Sequence, residues 1–170
     1  GSGLETSLLE KSGADIAYVM PSHQYPTGIV MPVKRRQELL SWACKKEGRY
    51  LIEDDYDSEF RYKGKPIPAL KGMDGRERVI YSGTFSKSVA PAIRVSYLVL
   101  PKPLLAVYRE RVNFYTSTVS RIDQNILYQF MMGGYYERHL NRMRAVYKAK
   151  HDTLIGALKP FEKQFTIKGE

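Results

Sequence analysis

Tyr81-Ser-Gly-Thr-Phe-Ser-Lys-Ser-Val-Ala-Pro-Ala-Ile-Arg94 carries the strongest chemical signal in this chain. Apolar and β-favouring residues lead into Lys87, small hydroxyl residues flank it, and Arg94 follows seven positions later. A lysine that forms a Schiff base must present its amine at the end of a rigid element, beside an anion-binding pocket. Thr84 and Ser86 offer hydroxyl donors there, and the planar fork of Arg94 suits a phosphate. Together these residues read as a site for pyridoxal 5′-phosphate (PLP). Alone, the segment would more often be a solvated lysine in a Ser/Thr loop.

A second stretch points the same way. Arg49-Tyr-Leu-Ile-Glu-Asp-Asp-Tyr-Asp-Ser-Glu-Phe-Arg-Tyr62 is a short apolar run that ends in acids. Tyr50-Leu51-Ile52 has the pattern of a buried parallel strand, and ligands of open α/β sheets bind beyond the carboxyl ends of strands. An aspartate there can pair with a protonated pyridine nitrogen, and Tyr56 can hydrogen-bond a phenolic ring oxygen. The acids at 53, 54, 55, 57 and 59 would otherwise suggest a metal loop, but the glycine that an EF-hand turn requires is missing. No metal site is expected.

Three motifs taken together, Pro21-Ser-His-Gln-Tyr-Pro-Thr-Gly28, Glu53-Asp-Asp-Tyr-Asp-Ser-Glu-Phe60 and Gly83-Thr-Phe-Ser-Lys87, resemble fold-type I PLP-dependent aminotransferases. More narrowly, they resemble the aminotransferase-like domain of MocR/GabR-type bacterial transcription regulators of the GntR superfamily. Matched by position, the resemblance makes Lys87 the lysine of the internal aldimine. It places Asp54 at the pyridine nitrogen, Tyr56 near the phenolic oxygen, and Thr84, Ser86 and Arg94 at the phosphate. Where classical aminotransferases have Asn before Pro-Thr-Gly, this chain has Tyr25, so that contact stays open among His23, Gln24 and Tyr25.

The resemblance also implies a longer protein: a winged-helix DNA-binding domain that lies outside this chain, a linker, a large cofactor domain and a small C-terminal domain. Residues 1–133 would be part of the large PLP-binding domain, and 134–170 the connector helix and the start of the small domain. Gly1-Ser-Gly reads as a cloning remnant or a native turn. Two functions follow. The leading one is an effector domain that senses a small amine or amino acid through aldimine chemistry at Lys87 and alters DNA binding. The alternative is a working class I/II aminotransferase. Either would act as a cytoplasmic homodimer.

The 170 residues suffice for one sizeable core, and 43% hydrophobic with 26% charged residues is ordinary globular composition. Cys44 is the only cysteine, which excludes an internal disulfide and suits a reducing cytoplasm. Its place in a helical pattern predicts a small core or boundary residue. His23, His139 and His151 lack metal-ligand spacing, and no apolar run reaches membrane-spanning length. The net charge of +9 is densest at Arg138, Arg142, Arg144, Lys148 and Lys150, which reads first as a solvated helix face and second as a support for DNA backbone.

Strands are expected near 15–21, 49–53, 78–81 and 95–100. Helices are expected near 34–46, 102–113, 121–132 and 135–158, with Gly133-Gly134 breaking the last two. Residues 63–78, rich in Gly, Pro and charge, read as a surface loop with at most one helical turn. The alternation argues for a three-layer α/β architecture with a largely parallel sheet, the partial large domain of a fold-type I transferase, followed by a long helix toward the small domain.

Overall fold

The computed structural model describes residues 3–61, 67–112 and 114–166. The chain forms two compact units, one of residues 1–58 and 67–119, the other of 59–66 and 120–170.

In the first unit, β1 (Ile16–Val19), β2 (Tyr50–Asp55), β3 (Val79–Thr84) and β4 (Ser96–Val99) lie side by side in that order. β1, β2 and β3 run parallel, while β4 pairs antiparallel with β3. Connection length explains the difference. A parallel crossover needs a dozen or more residues. α2 (Val33–Cys44) lies between β1 and β2, and α3 (Leu70–Met73) between β2 and β3. Only residues 85–95 separate β3 from β4, so the chain turns back.

The sheet is buried on one face. Ala17, Val19, Leu51 and Val79 meet Leu39, Trp42 and Ala43 of α2, Leu70 of α3 and Leu9 of α1 (Thr6–Lys11). β2 therefore alternates, with Leu51, Glu53 and Asp55 buried and Tyr50, Ile52 and Asp54 half-buried, instead of being buried throughout. Two buried charges brace this face. Arg36, on α2, donates to the carbonyls of Met31 (3.0 Å), Pro68 (2.9 Å) and Pro21 (2.8 Å). Glu53 accepts the amides of Leu70 and Lys71 at 2.8 and 2.9 Å, which satisfies open donors at the start of α3.

Two expectations change. Residues 67–78 are more than a surface loop: Leu70 is fully buried, and the Asp74 carboxylate accepts the amides of Arg76, Arg78 and Val79. The rest of the expected loop, 63–66, lies outside the described residues. Cys44 is exposed, because α2 ends with it and turns Trp42 and Ala43 to the core instead.

α5 (Lys102–Val112) completes the first unit. The second holds α6 (Arg121–Met132) and α7 (Tyr135–Leu158). Ser120 caps α6: its hydroxyl accepts the Asp123 amide at 3.1 Å and donates to the Asp123 carboxylate at 2.7 Å. Gly134, at φ 67°, supplies the left-handed residue that separates the helices. Of the basic residues on α7, Arg144 is partly buried and donates to the Glu59 carbonyl at 2.6 Å, while Arg138, Arg142, Lys148 and Lys150 are exposed.

Candidate cofactor site

The carboxyl ends of β2 and β3 and the amino end of β4 meet at one edge of the sheet, because an antiparallel partner begins where its neighbour stops. Asp54 pairs with Ser82 across β2 and β3, and Thr84 with Ser96 across β3 and β4. Directly after Thr84 the short helix α4 (Phe85–Ser88) carries Ser86 and Lys87. A 3-10 turn at Pro91–Ile93 then delivers Arg94, which sits at φ 48° and ψ 34° in the left-handed region.

These segments enclose a cavity of about 310 Å³ lined by Asp54, Tyr56, Ser82, Gly83, Thr84, Ser86, Lys87, Arg94 and Ser96. All six residues singled out in the sequence (Asp54, Tyr56, Thr84, Ser86, Lys87 and Arg94) line it. Ser82, Gly83 and Ser96 were not anticipated. The period-2 pattern of strands could have flagged Ser82, which must share a face with Thr84.

The side chains differ in how committed they are. One oxygen of Asp54, Oδ2, accepts the hydroxyl of Tyr18, and Oδ1 takes no hydrogen bond among the described residues. Asp55 points away and is buried; it accepts the hydroxyls of Ser58 (2.7 Å) and Tyr81 (2.8 Å). Burial, then the hydrogen bond and charge of Asp55, push the Tyr81 phenol far above its ordinary range. Tyr56 donates its proton to the His23 carbonyl at 2.9 Å. Burial, then the charges of Asp57 and Asp54, raise its phenol. Only its oxygen lone pairs are left to face a ligand.

Thr84 is also engaged. Its Oγ1 donates to the Val95 carbonyl at 3.2 Å and accepts the Ser86 amide at 3.2 Å, capping α4. By contrast, the Ser86 hydroxyl, the Lys87 amine and the Arg94 guanidinium make no hydrogen bond or ion pair among the described residues. None of His23, Gln24 and Tyr25 lines the cavity. His23 lies 2.7 Å from an Asp57 oxygen, the Gln24 amide bonds the Ile29 carbonyl, and Tyr25 is 73% exposed.

Two cations and one carboxylate face this space, together with several hydroxyls. The set suits a ligand with an anionic group, a basic ring nitrogen and a carbonyl that an amine can attack. No group of three or more His, Cys, Asp or Glu able to hold a metal occurs among the described residues.

Known proteins resemble this chain in sequence and in fold. The profile of the family described as aminotransferase class I and II matches residues 2–168. The uncharacterized HTH-type transcriptional regulator YdeL of Bacillus subtilis is 41% identical over 169 residues, covering 99% of this chain and 36% of that protein. The uncharacterized HTH-type transcriptional regulator YhdI of the same organism is 46% identical over 157 residues, covering 92% of this chain and 33% of that protein. Among solved structures, kynurenine aminotransferase of Pyrococcus horikoshii, in complex with PMP, superposes with a TM-score of 0.78 at 29% identity, over 94% of this chain and 42% of that one. The chain spans about a third of the length of the two regulators. It belongs to the class I and II aminotransferase family, in the branch whose domain is shared with HTH-type transcription regulators.

Proposed function

We propose that this cavity binds PLP and that the chain is part of the effector-sensing domain of a MocR/GabR-type regulator. The observation that carries the reading is the Lys87 amine, which shares a cavity with the Arg94 guanidinium, the Ser86 hydroxyl and Asp54 Oδ1, all without a hydrogen bond among the described residues. When bound, PLP supplies an aldehyde that bonds primary amines and a ring that draws electrons while its nitrogen is protonated. Lys87 would hold the aldehyde carbon, and Asp54 Oδ1 would accept the ring N–H. Arg94 and Ser86 would hold the phosphate, with Thr84 shaping the backbone beneath it through its cap. A small amine or amino acid that displaces the Lys87 amine would favour one conformation and so change DNA binding.

This reading takes residues 1–133 as part of the large domain and 134–170 as the connector and start of the small one. The full protein would be a cytoplasmic homodimer that contacts DNA through a domain outside this chain. Support comes from the regulators among its relatives. A working aminotransferase is the second reading, favoured by the likeness to the kynurenine enzyme.

The test is a PLP titration of the full-length protein, followed by borohydride reduction and peptide mapping. The visible absorption of lysine-bound PLP should be lost in Lys87→Ala, and the reduced label should map to Lys87. Label on another lysine would refute the assignment. Conversion of a keto acid at enzymatic rates would favour the second reading, whereas an amine-dependent change in operator binding without turnover would favour the first.

A further inference from the structure

Tyr18 stands outside the cavity and outside every motif quoted above, yet it is bonded to the acid at the centre of the site. On β1 it is paired with Ile52, so its side chain shares a sheet face with Asp54, two residues further along β2. Its hydroxyl donates to Asp54 Oδ2. On the other flank, the Cα partner of Asp54 is Ser82, a small residue that leaves the carboxylate room. Asp54 thus lines the cavity with one oxygen tied to Tyr18 and the other without a hydrogen bond among the described residues.

A hydrogen bond donated to one carboxylate oxygen also fixes the direction of the other. Burial, then the hydrogen bond and charge of Asp54, raise the Tyr18 phenol to about 12, so it keeps its proton across the working pH range and remains the donor toward that carboxylate. Tyr18 is also 54% exposed in this chain, a poor position for a residue whose role is core packing.

We propose that Tyr18 is a positioning residue for Asp54: it holds Oδ2, aims Oδ1 at the ring nitrogen of PLP, and thereby keeps that nitrogen protonated. The proposal rests on the PLP reading above.

The experiment compares wild type, Tyr18→Phe, Asp54→Asn and the double variant of the full-length protein, each titrated with PLP labelled with 15N in its ring. Phe keeps the ring and removes only the donor. Tyr18→Phe should move the pyridine 15N shift toward the unprotonated value and weaken PLP binding by about tenfold, the order expected for a hydrogen bond to a charged group. Thermal stability without PLP should be unchanged. In the Asp54→Asn background, Tyr18→Phe should add nothing, since both changes remove one unit. An unchanged 15N shift and affinity in Tyr18→Phe would overturn the role of Tyr18 and leave the PLP site standing. A full additive effect in the double variant would overturn it too, because Tyr18 would then act elsewhere. Failure of the wild type to bind PLP would overturn both readings.

Discussion

Along β2, Asp54 turns to the cavity while Asp55 turns to the core, where it takes the hydroxyls of Ser58 and Tyr81. Substituting each acid by its amide should therefore give opposite phenotypes. Asp54→Asn should slow reaction with amines by tenfold or more while leaving the fold intact, as read by stopped-flow spectra and thermal melts. Asp55→Asn should instead cost stability, about 1–3 kcal/mol for a buried network left partly unsatisfied, as read by urea unfolding. A stable Asp55→Asn with altered chemistry would show that the wrong acid has been assigned. Strand alternation makes this division legible in the sequence, because adjacent residues must face opposite sides. The fate of individual protons is not legible there. Thr84 spends its hydroxyl on the α4 cap and Tyr56 donates to a carbonyl 33 positions away, contacts that only the folded chain brings together.

At the scale of elements, a buried side chain of β2 caps α3, beside the packing of Leu70 in the core. Glu53 has no exposed surface, and its two oxygens accept the first amides of that helix. Burial raises its carboxyl above the ordinary 4.5, against the opposing pull of the Lys71 and Leu70 amides; the Asp55 charge adds to the rise and Arg36 opposes it. In the window between 4.5 and that raised value, the native state holds more protons than the unfolded one. The contribution of Glu53 is thus full at low pH and declines as pH climbs through the window. Glu53→Gln should remove this part of the pH dependence and cost about 1–3 kcal/mol, because an amide nitrogen cannot accept the second N–H. Urea unfolding of both proteins across pH 4–8 (roughly the range that brackets such a shifted acid) checks both claims. A parallel pH profile in the variant would exclude a titrating Glu53. The division between α6 and α7 was readable from Gly133-Gly134, since a break is a local signal. The reversal of β4 follows from a connection length that strand propensity alone does not weigh, and the burial of Leu70 depends on Glu53 reaching it from another element.

Taken whole, the molecule concentrates its candidate chemistry in one unit: every residue lining the cavity lies between Asp54 and Ser96, within the first of the two compact bodies. The parallel strands and the carboxyl-end location of the site follow from the alternation of strand and helix in the sequence. Which face is covered does not, because that depends on residues far apart in the chain. Arg94 links the site to the stability of the entire fold. Its left-handed backbone, at φ 48°, is a conformation that disfavours a side chain like arginine and that asparagine tolerates better. The strain thus falls on the side chain proposed to hold the phosphate. Arg94→Asn should recover about 1 kcal/mol in the cofactor-free protein and raise its melting temperature by a few degrees. The same variant should gain far less than wild type from added PLP, since ligand-linked stabilisation scales with affinity. Differential scanning calorimetry with and without PLP reads both effects, and equal stabilisation of the two proteins would refute the link. A selection for thermal robustness alone, run without PLP, would then tend to discard the residue proposed to hold the phosphate.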